Sequence, residues 1–261
     1  MNLVRRVVPW LLAIGAIAVA GSGVSFVIAS GPPAAVSVPD VLNRFRAGTP
    51  SPTTSPGQLP PAPAQGVYLY RTVGGERVSA GDVRHKYPKV TTLTVTYGGC
   101  GLDVRWDALS GRSQVWHLCP AGDSWQLQTY VDTHKFLYLT DVHSYTCTGG
   151  PWSLNSGPSS ATTRTVTCDT ATGKATSVIS VVGTEDVQVG SARVPTTHVH
   201  MDQTATGTST SKGSIDLWLV TASGLPARAQ TQQEGSQHVL GQVVTYHEAA
   251  TFTLLSLTPR R

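Results

Sequence analysis

Charge is scarce in this chain of 261 residues: Asp, Glu, Lys and Arg make up 13% of it, about half the roughly 25% of an average soluble domain. The formal net charge of +4 does not mark a nucleic-acid binder. Arg5, Arg6, Arg44 and Arg46 precede residue 66 with only Asp40 against them, and from Gly66 onward 15 basic residues face 14 acidic ones. Without a basic stripe to track phosphates, a nucleic-acid partner is not expected. Several motifs are missing as well. There is no G-x-S-x-G elbow, no H-E-x-x-H pair, no phosphate-binding glycine loop and no C-x-x-C, so no reaction is named, no cofactor is implied and an enzyme is not expected. No cysteine precedes Cys100, which excludes a lipid anchor on an N-terminal cysteine.

What the N-terminus does have is Arg5-Arg6 followed by Val7 to Ala29, an uncharged run of 23 residues. That is long enough for a hydrocarbon core of about 30 Å. Ala18-Val19-Ala20 resembles a signal-peptidase site, yet apolar character resumes at Val24, Phe26, Val27 and Ile28. Residues 1–30 are therefore read as an uncleaved signal anchor, one transmembrane helix with its short basic end inside and the bulk of the chain outside. The alternative is secretion after cleavage near Ala20. An anchor leaves about six residues in the cytoplasm, too few to fold into a signalling domain.

Residues 31–65 hold nine of the seventeen prolines and read as an extended linker. Within them Val41, Leu42 and Phe45 fall at helical spacing over Val38 to Arg46. The segment reads as a transient helix or as an amphipathic turn with Arg44 and Arg46 towards lipid phosphates.

From Gly66 to Arg261 the chain reads as β. Thirty of these residues are Thr, and β-branched side chains suit strands. Leu102, Val104 and Trp106 alternate with Asp103, Arg105 and Asp107. Trp125, Leu127 and Val131 alternate with Gln126, Gln128 and Asp132, and Ile215, Leu217 and Leu219 alternate across Asp216 and Trp218. Glycine turns separate the runs, and the one helical candidate is the short stretch Ser79 to Lys86. The expected architecture is an all-β ectodomain over 66–261, an antiparallel sheet strongly curved or closed, in the form of a curved sheet or half-barrel of about 10–12 strands. A seam between halves would fall at Ser153–Ala161, with one continuous sheet preferred.

Cys100, Cys119, Cys147 and Cys168 allow three pairings. Sequential pairing closes loops of about twenty residues, each stabilising on the order of 3 kcal/mol in the chain-entropy account; the spacings do not suit a zinc knuckle. His198, His200 and Asp202 share one strand face and are weak candidates for a divalent metal. The competing reading is a polar outer face opposite buried Val199 and Met201. Asp103 and Asp107 also share a face, about 13 Å apart by strand rise, too far for a glycosidase pair. Arg105 between them suggests a surface ion ladder. His85 and His134 have no motif partner and read as surface or loop residues.

Trp106, Trp116, Trp125 and Trp218 all sit in strand-like segments. They serve either as core packing or, for Trp106, Trp116 and Trp218, as the lining of a concave apolar site.

The runs Gly183-Thr184-Glu185-Asp186-Val187, Val194-Pro195-Thr196-Thr197-His198-Val199, Asp216-Leu217-Trp218-Leu219 and Gly224-Leu225-Pro226-Ala227-Arg228 resemble the hairpins of the LolA/LolB and LppX/LprG lipoprotein carriers. The first half, with Gly99-Cys100-Gly101 and Trp116-His117-Leu118-Cys119, looks like actinobacterial exported proteins of the same length. The carrier resemblance implies a curved sheet, lipid binding and a Trp in the concavity; it implies no catalytic residue. Two functions follow as expectations. One is an anchored extracytoplasmic domain that binds a lipid or other apolar envelope ligand. The other is a non-enzymatic scaffold that docks an envelope protein or cell-wall polymer.

Overall fold

The computed structural model describes residues 33–48, 61–136, 139–149, 163–239 and 241–261. The strands are β1 (Gly66–Val78), β2 (Val83–Lys86), β3 (Val90–Gly98), β4 (Gly101–Leu109), β5 (Arg112–Ala121), β6 (Ser124–Phe136), β7 (Leu139–Gly149), β8 (Arg164–Asp169), β9 (Gly173–Val189), β10 (Ala192–Gly207), β11 (Ser209–Val220), β12 (Pro226–Val239) and β13 (Gln242–Leu254). From β3 onward each strand pairs antiparallel with its sequence neighbour. β1 closes the ring, since its Tyr70–Val78 stretch pairs with Tyr246–Leu254 of β13. Its other edge is shared: Gly66–Arg71 pairs with β3 and Gly75–Val78 with β2. Thirteen strands thus fill twelve positions of a closed antiparallel barrel. The expected antiparallel sheet is there, and of the curved, half-barrel and closed forms it takes the closed one. Closure through β1 and β13 removes the two long free edges an open sheet would have.

The seam depends on glycine. Gly74 sits at φ 126°, and a Cβ there would meet the Ala249 carbonyl oxygen at 2.1 Å. A Cβ at Gly75 would meet the His85 carbonyl oxygen at 2.2 Å. β1 can be gripped from both sides here only because it lacks side chains. Gly74→Val is expected to cost about 3 kcal/mol or more, combining a disfavoured backbone with a backbone clash; thermal unfolding with Gly122→Val, in an open turn, as the control checks this.

Residues paired across strands share a face, so the inner wall can be traced by register. Phe252 opposes Ala229, Ala229 opposes Leu217, and Leu217 opposes Val199. Tyr68, Tyr70, Leu93, Val95, Leu102, Trp106, Trp125, Phe252 and Leu254 form the main buried core, and Ile179, Val199, Met201 and Leu219 form a second cluster. The outer wall of β10–β12 carries exposed Asp202, Lys212 and Glu234. A lipid-facing barrel belt excludes such charges.

Helix α1 (Val38–Gly48) differs from its expectation. The Asp40 amide donates to Ser37 Oγ at 3.2 Å, capping the first turn. Val41 and Phe45, one turn apart, are buried against Val67 on the barrel's outside, contributing roughly 1.5–3 kcal/mol each. Arg44 bonds Asp107 Oδ2 at 2.6 Å rather than facing lipid phosphates. Alternation gave Asp107 an outward position; it did not show that a helix 63 residues upstream would cover it. Ser79 to Lys86, the other helical candidate, is a 3-10 turn at Ala80–Asp82 leading into β2.

Both disulfides pair sequentially, Cys100–Cys119 and Cys147–Cys168, which suits an oxidising, extracytoplasmic compartment. Among the described residues no helix is long and apolar enough to cross a membrane. The expected span Val7–Ala29 lies outside the described residues, as does the whole Ser153–Ala161 seam.

Candidate functional site inside the barrel

A charged cluster fills part of the lumen. Arg112 of β5 is 3% exposed; its guanidinium bonds the carboxylate of Asp132 on β6 and reaches across the barrel to Glu248 Oε2 of β13 at 3.1 Å. Glu76, 5% exposed, takes two imidazoles: His85 Nδ1 at 2.7 Å and His134 Nε2 at 2.9 Å. Tyr246 donates to Glu248 and, at 3.4 Å, to Glu76. Tyr87 also reaches Glu76 at 3.4 Å. His85 and His134 are therefore interior residues, not the surface or loop residues expected. The pairing that puts His85 directly opposite Glu76 joins strands whose contact no sequence motif announces.

These contacts set the protonation of the cluster. Burial alone would raise Glu76, but the hydrogen bonds from His134 and His85 and the charge of Arg112 bring it down to about 2. Burial would likewise raise Asp132, and Arg112 overrides it, so its carboxyl is held below the ordinary value. Burial lowers His134 despite Glu76 beside it, which favours the neutral imidazole. Burial holds Tyr87, Tyr130 and Tyr246 as phenols, well above their ordinary range. One guanidinium thus faces three carboxylates, an interior that disfavours an anionic guest.

Above the charges lies an aromatic ladder. Trp116, Tyr130 and Tyr145 occupy paired positions on β5, β6 and β7. Trp116 and Tyr130 stack at 5.9 Å, and Tyr130 and Tyr145 at 5.4 Å. All three are only partly buried, unlike Trp106 and Trp125 in the packed core. Gln114 Nε2 donates to the Tyr130 hydroxyl at 2.7 Å, and that hydroxyl donates to Asp132 at 3.3 Å. The ladder is thereby tied to the charged cluster. Two donors at this junction, Trp106 Nε1 and Arg112 Nε, are buried without an acceptor among the described residues. Leaving such a donor unmet costs about 1–3 kcal/mol each.

Of the three tryptophans expected to line one site, Trp106 and Trp116 share the lumen core and Trp218 does not. Trp106 packs edge-on against Phe252 at 5.1 Å and Tyr87 at 5.8 Å, with Arg112 over its ring at 5.7 Å. Trp116 belongs to the ladder. Trp218 lies on the face of β11 opposite Leu217 and Leu219, away from the lumen. It is stacked on His198 at 4.4 Å and covered by Arg228 at 4.7 Å. Tyr130 and Tyr145 went unnoticed because neither belongs to a motif, although both can be found by pairing β6 with β7.

His198 and His200 are partly buried and Asp202 is exposed, opposite buried Val199 and Met201. Asp216 of the adjacent strand stands between the imidazoles, 2.8 Å from His198 Nε2 and 3.0 Å from His200 Nδ1. His200 is held above its ordinary value chiefly by the hydrogen bond to Asp216. These side chains satisfy one another as a polar face. Asp103 and Asp107 do not form the expected ladder: Asp107 holds Arg105 and Arg44, while Asp103 holds His117.

No family model matches the chain, and no curated protein matches it. Among solved structures, the crystal structure of a hypothetical lipoprotein, YmcC from Escherichia coli (K12), is similar at 14% identity and a TM-score of 0.34. The match covers 76% of this chain and 87% of that one. The class defined by the fold is a closed antiparallel barrel with two disulfides and a polar-and-aromatic lumen.

Proposed function

We propose that this protein is an extracytoplasmic binding barrel, held at the membrane through Val7–Ala29, that takes a lipid-like ligand with an uncharged polar end. The observation that carries the reading is the stacked, only partly buried ladder Trp116–Tyr130–Tyr145 on the inner wall. Aromatic rings left partly uncovered inside a barrel offer an apolar guest a flat surface. At the ladder's lower end, Trp106 Nε1 and Arg112 Nε supply donors for a hydroxyl, ester or ether oxygen. The carboxylates Asp132, Glu248 and Glu76 argue against a carboxylate or phosphate at that end. The resemblance of the β9–β12 hairpins to lipoprotein carriers points the same way. The titratable groups of the lumen are engaged with one another, which supports binding rather than catalysis.

The test compares native and denatured mass spectra of the full chain isolated from its membrane. Copurified mass lost on denaturation is the expected result, together with at least tenfold weaker retention in the folded Trp116→Ala/Tyr130→Ala variant. A clean protein mass with no uptake of added diacylglycerol overturns the reading and moves the function to docking of an envelope protein or cell-wall polymer.

A further inference from the structure

The two disulfides differ in their surroundings. Cys147 and Cys168 are buried at 4% and 7% exposure on directly opposed residues of β7 and β8. Cys100 is exposed, at the turn between β3 and β4, and Cys119 is partly so, on β5. His117, two residues before Cys119 and hence on the same strand face, aims Nε2 between the sulfurs. It lies 3.2 Å from Cys100 Sγ and 3.7 Å from Cys119 Sγ. Its other nitrogen, Nδ1, donates to Asp103 Oδ1 at 2.5 Å, and Asp103 is its cross-strand partner in register. The ring also packs on the turn, where a Cβ at Gly99 would meet Cε1 at 3.6 Å.

Two sulfurs and one imidazole nitrogen all lie within 4.8 Å of one another. A carboxylate on Nδ1 fixes the tautomer and leaves the Nε2 lone pair directed at the sulfurs, the arrangement that supports histidine as a metal ligand. Thiolate and imidazole donors select soft or borderline cations such as Cu(I) and Zn(II) over calcium and magnesium. Three ligands near the surface leave a fourth position open. Among the described residues no other group of three or more His, Cys, Asp or Glu is this compact. The sequence hid it because the absence of C-x-x-C argued against metal, while the ligands are gathered by the β3–β4 turn and β4–β5 register.

We propose that Cys100, Cys119 and His117 form a redox-gated site for a thiophilic cation, Zn(II) or Cu(I), with Asp103 as positioning residue. A dithiol reductant opens the gate. One of its thiolates attacks a sulfur of the Cys100–Cys119 bond, giving a mixed disulfide, and its second thiol resolves this. The protein gains two electrons and two protons, and the reductant leaves as its own disulfide. Cation binding then displaces the two thiol protons. The disulfide form has no thiolate to offer and does not bind.

The full chain, reduced anaerobically with a phosphine and titrated with Co(II), tests the site. Expected are a thiolate-to-cobalt charge-transfer band in the near ultraviolet and visible d–d bands of a tetrahedral site. Both are displaced by Zn(II) and by Cu(I), and both are absent from the oxidised chain. Reduced Cys100→Ser/Cys119→Ser chain, which keeps Cys147 and Cys168, sets the background. Asp103→Asn is expected to weaken cobalt binding about 10–100-fold with the charge-transfer band retained, whereas His117→Ala alters the d–d envelope as a nitrogen ligand is lost. A reduced parent chain that binds Co(II) no better than the double serine variant overturns the proposal, and so does loss of the barrel's circular-dichroism spectrum on reduction.

Discussion

Replacing Arg112 by methionine is expected to destabilise the barrel at pH 7 by about 3–5 kcal/mol, the range for breaking a buried ion pair from one side. Methionine keeps much of the aliphatic length, so packing against Trp106 changes little and the loss is chiefly electrostatic. Asp132 and Glu248 stay behind, two carboxylates on different strands that Arg112 bridges by direct ion pairs. Glu248 is 5% exposed and has little water to replace the guanidinium. Urea unfolding monitored by tryptophan fluorescence reads the effect as a lower midpoint. Arg112→Met/Glu248→Gln is expected to recover a substantial part of the loss, because the amide removes one stranded charge. Arg112→Lys should fall between, since an ammonium holds the charge without the fork that spans both carboxylates. A single Arg112→Met variant within about 0.5 kcal/mol of the parent, where surface substitutions fall, would mean that the bridge does not form in solution.

The β content of 66–261 was legible because inward and outward residues alternate wherever strands run undisturbed. Ile215, Leu217 and Leu219 do face the lumen, with Asp216 and Trp218 on the other side. The same alternation already assigned Trp218 away from the core, and the carrier resemblance was what placed it in the concavity. β6 misled for a physical reason. A bulge shifts its register against β5, so Leu118 pairs with Leu127 but His117 pairs with Thr129. Such an extra residue flips the faces that follow. Trp125 and Leu127 point inward as alternation predicts, but beyond the bulge Tyr130, Asp132 and His134 turn inward in place of Val131. Three of the lumen's polar side chains were hidden by that one residue.

The charged cluster was hidden differently. Glu76 opposes His85 on one side and Glu248 on the other, partners 9 and 172 residues away along the chain. Two glutamates directly opposed across strands are unfavourable by themselves. They become tolerable when Arg112, His85, His134 and Tyr246 converge on them, and those side chains come from four different strands. Local propensity cannot report such a meeting. The lower lumen is thus held together by contacts that exist only once the ring has closed, which makes it sensitive to protonation.

Acid should therefore unfold this barrel early, and Glu76 should account for much of the effect. Its folded value of about 2 lies below its ordinary 4.5. For a depressed carboxyl the unfolded chain binds the proton first as pH falls. The stabilisation is fully present above about pH 4.5 and is lost progressively as pH falls towards 2, amounting to about 3 kcal/mol at roughly 1.4 kcal/mol per unit. Asp132, also depressed, adds to the same limb. His134 has the same sign at higher pH: held below 6.5, it stays neutral in the fold while the unfolded chain takes a proton, so stability begins to fall below about pH 6.5. Urea midpoints measured from pH 8 to 3 should decline gently below 6.5 and steeply below 4.5. Glu76→Gln is expected to be less stable than the parent by about 2–3 kcal/mol at pH 7 and to show a shallower acid limb, so the two curves converge towards pH 3. Parallel curves across that range would mean that Glu76 titrates normally in the fold and that its two imidazoles do not hold it.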